Sequence, residues 1–205
     1  MRIGIDFDNT IADYDHVFSY VANKLGIINS QLANDKISIR NHIMGQDGGA
    51  ENWKRLQGQV YGRFMLRAHM MEGLAHFLTA CRNSAVQVFI ISHKTVYGHY
   101  DKSQIPLRNT ALRWMEKHDF FNPKVFNIKR SNIFFADSRS EKVSQVYKTK
   151  CTHFIDDLIE VFNEPGFPKN TKKYLLSPRI ETTNFDGKIF SRWSKIYDDI
   201  FHPDD

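Results

Sequence analysis

The chain begins MRIGIDFDNT, an apolar run that ends in two aspartates, Asp6 and Asp8, one residue apart. Neighbouring carboxylates repel, so the arrangement costs stability unless a cation or a reaction uses it. Other apolar runs also end in candidate chemistry. VQVFIIS ends in Ser92, THFIDD ends in Asp156-Asp157, and Lys142 opens the helical stretch after NIFFAD. Brought together, Asp6, Asp8 and Asp156 form an acidic cup suited to a hard divalent cation. Mg²⁺ prefers a few carboxylates with waters and phosphate oxygens. Lys142 balances charge, Ser92 offers a hydroxyl to a phosphate oxygen, and the backbone N–H groups after Asp6 can cradle one too. A carboxylate can attack phosphorus to give an aspartyl-phosphate, with the cation and the lysine offsetting the repulsion between two anions.

The elements needed to position these groups are strands alternating with helices. Short apolar runs at 1–6, 86–92, 132–137, 152–157 and 172–177 predict about five strands. Helices are predicted over 13–25, with Val17, Tyr20, Val21 and Leu25 as its apolar stripe, and over 53–69, 72–84, 106–118, 140–150 and the tail RWSKIYDDIF. Gly26 stops the first helix, and GQDGGAEN (45–52) reads as a loop. Asp137 is open to two readings, a cap for the following helix or a site residue. Alternation of this kind argues for an α/β fold, a Rossmann-like parallel sheet flanked by helices. In such sheets ligands bind beyond the carboxyl ends of the strands, where residues distant in sequence meet.

DFDNT resembles the first motif of the haloacid dehalogenase-like superfamily, FIISHKT its second, Lys142 its third and FIDD its fourth, in the same order along the chain. The resemblance covers roughly 1–14 and 72–180. It implies Asp6 as nucleophile and Asp8 as general acid/base. It implies that Ser92 and Lys142 hold the transferred phosphoryl group. Mg²⁺ would be held by Asp6, by the Asp8 backbone carbonyl and by Asp156, with Asp157 supporting the ligands from behind. Asn9, Thr10, His93 and Lys94 become candidate substrate contacts, and His99, Tyr100, Lys102 and Arg108 extend that donor-rich loop. An acid at Asp8 favours phosphate chemistry over dehalogenation, and Thr10 resembles a phosphatase rather than a transport ATPase.

The resemblance further implies a core at 1–14 and 71–205 and a helical cap insertion at 15–70. Lys54, Arg55, Arg63 and Arg67 fall on a predicted helix of that cap, and positions 63 and 67 lie one turn apart. The expected activity is Mg²⁺-dependent hydrolysis of a small phosphorylated metabolite. A 5'-nucleotidase, a phosphotransferase or a catalytically silent binding module are the alternatives. The formal charge is +5, and residues 124–150 carry seven basic residues against two acidic ones. Aromatics are not interleaved there, which argues against nucleic acid as partner. The chain has no apolar run long enough to span a bilayer, and its N-terminus reads as strand rather than signal peptide. Cys81 and Cys151 lack metal-ligand spacing and read as reduced thiols of a cytoplasmic protein.

Overall fold

A computed structural model describes residues 1–28, 35–98, 104–178 and 184–203. His99, Tyr100 and Lys102 lie outside the described residues. The chain forms two compact units. One comprises Met1–Ala12, Met70–Lys94 and His118–Asp205, the other Asp13–His69 and Thr95–Lys117. The second therefore takes in 95–117, a stretch the sequence reading leaves with the core.

In chain order the elements begin with β1 (Arg2–Ile5), β2 (Ala12–Asp13), α1 (Asp15–Lys24), α2 (Lys36–Met44) and α3 (Gly49–Tyr61). There follow β3 (His69–Met70), α4 (Leu74–Asn83), β4 (Gln87–His93), α5 (Leu107–Lys117), β5 (Ile133–Ala136) and α6 (Arg139–Lys148). The chain closes with β6 (His153–Asp156), α7 (Ile159–Phe162), β7 (Lys172–Leu176), β8 (Lys188–Phe190) and α8 (Trp193–Phe201). Among the described residues six strands form one sheet in the order β5-β4-β1-β6-β7-β8, and each neighbouring pair is parallel. The Rossmann-like expectation holds, with one strand more than the five expected. β8 was not foreseen, because three half-buried residues at a sheet edge carry little apolar signal.

Burial explains the central strands. Ile3, Gly4 and Ile5 of β1 are buried, as are Val88–Ser92 of β4 and Phe154–Asp156 of β6, as strands with both faces covered require. Gly4 is fixed by space: a Cβ there would stand 2.6 Å from the Phe154 ring and 2.8 Å from the Cys151 sulfur. Phe89, Ile91, Val143, Val146, Phe154, Val161, Phe162 and Leu175 form a continuous cluster beneath α6 and α7. Each such side chain contributes about 1.5–3 kcal/mol by leaving water.

Within the second unit α1, α2 and α3 pack on one another. Phe18 stacks on Trp53, with centroids 5.1 Å apart, and Trp114 Nε1 of α5 donates to the Ala68 carbonyl at 2.9 Å. The buried stripe of α1 is Val17, Phe18, Val21 and Ala22, whereas Tyr20 and Leu25 are exposed. α2 was missed by the sequence reading. Asp35 starts it, accepting from the Ile37 and Ser38 amides, a cap worth about 1 kcal/mol. The expected loop 45–52 shrinks because α3 begins at Gly49, where a Cβ would stand 2.2 Å from the Ile43 carbonyl. The helix expected over 53–69 ends at Tyr61 and gives way to a 3₁₀ turn, Met65–Arg67. Arg63 and Arg67 thus share no helix face. Arg67 lies over the Tyr20 ring and Arg63 over Phe64.

Candidate active site

The site residues expected from the four motifs all belong to the first unit, whereas Arg108 lies on α5 in the second. Asp6 follows directly on β1, and its amide bonds to the Ile155 carbonyl at 2.9 Å, extending the ladder with β6. The chain then turns tightly. Ile11 and Ala12 amides both donate to the Phe7 carbonyl, and Asn9 sits at φ 60°, a left-handed conformation that asparagine tolerates better than most residues. Thr10 is fully buried in this turn, and its carbonyl accepts from Trp193 Nε1 of α8 at 2.9 Å. Trp193 thus supports the turn as well as packing in the core. No local signal could reveal it, because 183 residues separate the partners.

Lys142 lies in the first turn of α6, whose cap is Ser138. Its side chain is 2 % exposed, and its Nζ stands 2.5 Å from Asp6 Oδ1 and 2.6 Å from Asp156 Oδ2. Asp137 does not cap α6. Its backbone amide bonds to Glu141, which completes the turn from the other side. Burial alone would depress the Lys142 ammonium, but Asp156 and Asp6 outweigh it and hold the lysine above its ordinary value. Burial pushes the Asp156 carboxyl up to about 7, with the Asp6 charge acting the same way against Lys142.

Asp6, Asp156 and Asp157 each place a carboxylate oxygen within 4.8 Å of the others. Asp157 accepts from Asn9 Nδ2 at 3.2 Å, and Asp156 accepts from the Leu158 amide at 3.0 Å. Asp157, expected behind the ligands, therefore stands in the same cluster as Asp6 and Asp156. Lys94, a candidate substrate contact, donates to both oxygens of Asp8, at 2.9 and 2.7 Å. His93 Nε2 lies 3.2 Å from the Asp137 carbonyl oxygen. The β1–β4 register pairs Ile5 with Ile90, so Ser92 reaches the same end of the sheet as Asp6. Ser92 Oγ and Thr10 Oγ1 are buried without a hydrogen-bond partner among the described residues.

Two properties of this arrangement bear on ligands. Buried hydroxyls normally find partners, and these two leave hydrogen bonds to be supplied from outside the described residues. Asp6, Asp8, Asp156 and Asp157 bring four carboxylates, which Lys94 and Lys142 answer with two ammoniums. The clustered carboxylates of Asp6, Asp156 and Asp157 are hard oxygen donors of the kind that suits a divalent cation of the Mg²⁺ type.

No family model matches the chain, and no curated protein matches it. Solved structures do. A HAD-superfamily hydrolase from Ehrlichia chaffeensis is 13% identical with a TM-score of 0.56, over 98% of this chain and 96% of that one. The HAD-hydrolase YfnB from Bacillus subtilis, bound to magnesium, is 11% identical with a TM-score of 0.58, over 96% of each chain. CbbY from Rhodobacter sphaeroides, a mutant in complex with xylulose-(1,5)bisphosphate, is 10% identical with a TM-score of 0.55, over 95% of each. The chain thus has the haloacid dehalogenase-like fold along nearly its whole length. Among the described residues, no helix is long and apolar enough to cross a membrane.

Proposed function

We propose that the chain is a Mg²⁺-dependent phosphatase that hydrolyses a small phosphate monoester through an aspartyl-phosphate on Asp6. The observation that carries this reading is the meeting of Asp6, Lys142, Asp156 and Asp157 at strand ends that also hold two orphaned buried hydroxyls, Thr10 and Ser92. Magnesium in YfnB and a sugar bisphosphate in CbbY, on the same fold, support the choice of cation and of phosphate.

Asp6, Asp156 and Asp157, with the Asp8 carbonyl, would hold the cation. Once bound, it supplies charge neutralisation toward the phosphate oxygens. An Asp6 carboxylate oxygen attacks phosphorus as the P–O bond to the leaving group breaks. Asp8 passes a proton to the departing oxygen and later takes one from the water that attacks the aspartyl-phosphate, which releases phosphate and restores Asp6. Lys142 stays beside Asp6 and offsets the charge gathering on the phosphoryl oxygens. Thr10 and Ser92 donate their hydroxyls to those oxygens. We take the second unit to supply substrate selection, and the two free, buried thiols to fit a cytoplasmic setting.

The test is phosphate release from aryl and alkyl phosphates, sugar phosphates and nucleoside monophosphates, with Mg²⁺ or chelator, for wild type and Asp6→Asn. Turnover that needs Mg²⁺ and disappears in Asp6→Asn is expected. Turnover that survives the substitution refutes the reading.

A further inference from the structure

Lys94 is the last residue of the first unit before the chain leaves for 95–117, and it directly follows β4. A lysine at such a place, after Ser92 and His93 and before a polar loop, would ordinarily reach for solvent or ligand. This one is 3 % exposed. Its amide bonds to the Ala136 carbonyl of β5 at 3.0 Å, its Nζ lies 5.4 Å from the centre of the buried Phe7 ring, and the ammonium meets both oxygens of Asp8. Backbone, ring and carboxylate together hold the lysine, and the lysine in turn holds the carboxylate.

We propose that Lys94 is a positioning residue that fixes the direction of the Asp8 carboxyl, so that Asp8 can reach the leaving oxygen. The inference rests on the phosphatase reading above. An aspartate side chain turns about two single bonds, and nothing in the covalent chain aims it. Two bonds from one ammonium to its two oxygens set both the plane and the direction of the group. Proton delivery depends steeply on such alignment. In the step concerned, Asp8 in its protonated form turns one oxygen to the leaving group while the other still accepts from Lys94, and its proton moves to the leaving oxygen as the P–O bond breaks. Lys94 gives up no proton and makes no bond to the substrate.

This role separates leaving groups. A nitrophenolate departs without help, whereas an alkoxide needs the proton. For Lys94→Met, kcat on an alkyl phosphate is expected to fall on the order of 100-fold, the lower range for a lost acid–base contribution. On p-nitrophenyl phosphate it should fall no more than about threefold, and KM for both should stay within about twofold, set against that same contribution. Because the single variant leaves a carboxylate without its partner and can fail to fold, the double variant Asp8→Asn/Lys94→Met carries the test as well. If Lys94 acts through Asp8, the double variant matches Asp8→Asn alone.

Equal losses on both substrates, a change confined to KM, or a double variant weaker than Asp8→Asn overturns the proposal and makes Lys94 a substrate contact or a structural residue. Those outcomes leave the phosphatase reading standing. Absence of turnover by the wild type on every phosphate overturns that reading, and the role of Lys94 with it.

Discussion

Replacing Lys142 by methionine keeps most of the unbranched apolar stem and deletes the ammonium. In the wild type the ammonium stands between Asp6 and Asp156, which are 4 % and 0 % exposed. Without it, two carboxylates face each other out of water. Removing one partner from a buried ion pair typically costs about 3–5 kcal/mol. For a chain of this size each kcal/mol lowers the melting temperature by about 2–4 °C, so a loss of about 6–20 °C is expected. The loss should depend on pH. Burial and Asp6 already push the Asp156 carboxyl upward, and without Lys142 nothing in the pair opposes them. A carboxyl whose folded pKa is raised binds its proton more tightly in the folded state. The penalty is therefore small near the ordinary carboxylate range and grows as pH rises through 7 and beyond. Millimolar Mg²⁺ should return part of the stability, because a cation bound only by the folded chain stabilises it. The assay is thermal unfolding by circular dichroism at about pH 5 and about pH 8, either side of the Asp156 transition, in chelator and in Mg²⁺, with phosphate release alongside. A variant that melts within about 2 °C of wild type at the higher pH in chelator would refute the reasoning, given the scale above.

Trp193→Phe should remove the hydrogen bond that ties α8 to the Thr10 carbonyl and leave a buried acceptor unmet. A loss of about 1–3 kcal/mol in chemical denaturation, with weaker phosphate turnover, is expected. Gly4→Ala should push a methyl into the Phe154 ring and the Cys151 sulfur, destabilising by about 1–3 kcal/mol in the same experiment, and Gly4→Ala/Phe154→Leu should recover part of it. His153 is held down to about 4, first by burial and then by Lys172. Its proton binds more tightly in the unfolded chain, so this group's contribution is complete above about 6.5 and is lost as pH falls toward 4. His153→Gln should flatten the stability curve across that window, as followed by urea titration at each pH.

How far the sequence could be read depended on the range of the forces involved. β1, β4, β6 and β7 were legible because a strand covered on both faces needs an unbroken apolar run, and Ile3, Ile90, Phe154 and Leu175 supply it locally. α2 was not, since only Ile39 and Ile43 along it are buried. The start of α3 was hidden by its own glycines. Gly48 and Gly49 look like loop, but the first adopts φ 70° as the helix cap and the second lets the helix start against Ile43. In the candidate site, Asp6, Asp8, Ser92, Lys142 and Asp156 could be named because each ends a strand or opens a helix. What each one touches could not. That Lys94 meets Asp8 rather than solvent depends on β5 anchoring its backbone and on Phe7 shielding it.

The strand order has a consequence for how the protein is made. β1 is synthesised before both of its neighbours in the sheet, β4 and β6, with Ile5 paired to Ile90 on one side and Ile155 on the other. Both of its edges stay open on the nascent chain until residues near 93 and then 156 have been added. Open apolar strand edges invite pairing with other chains. Slow translation across 94–150 should therefore raise the aggregated fraction, whereas slow translation after 176, when the four central strands are already complete, should not.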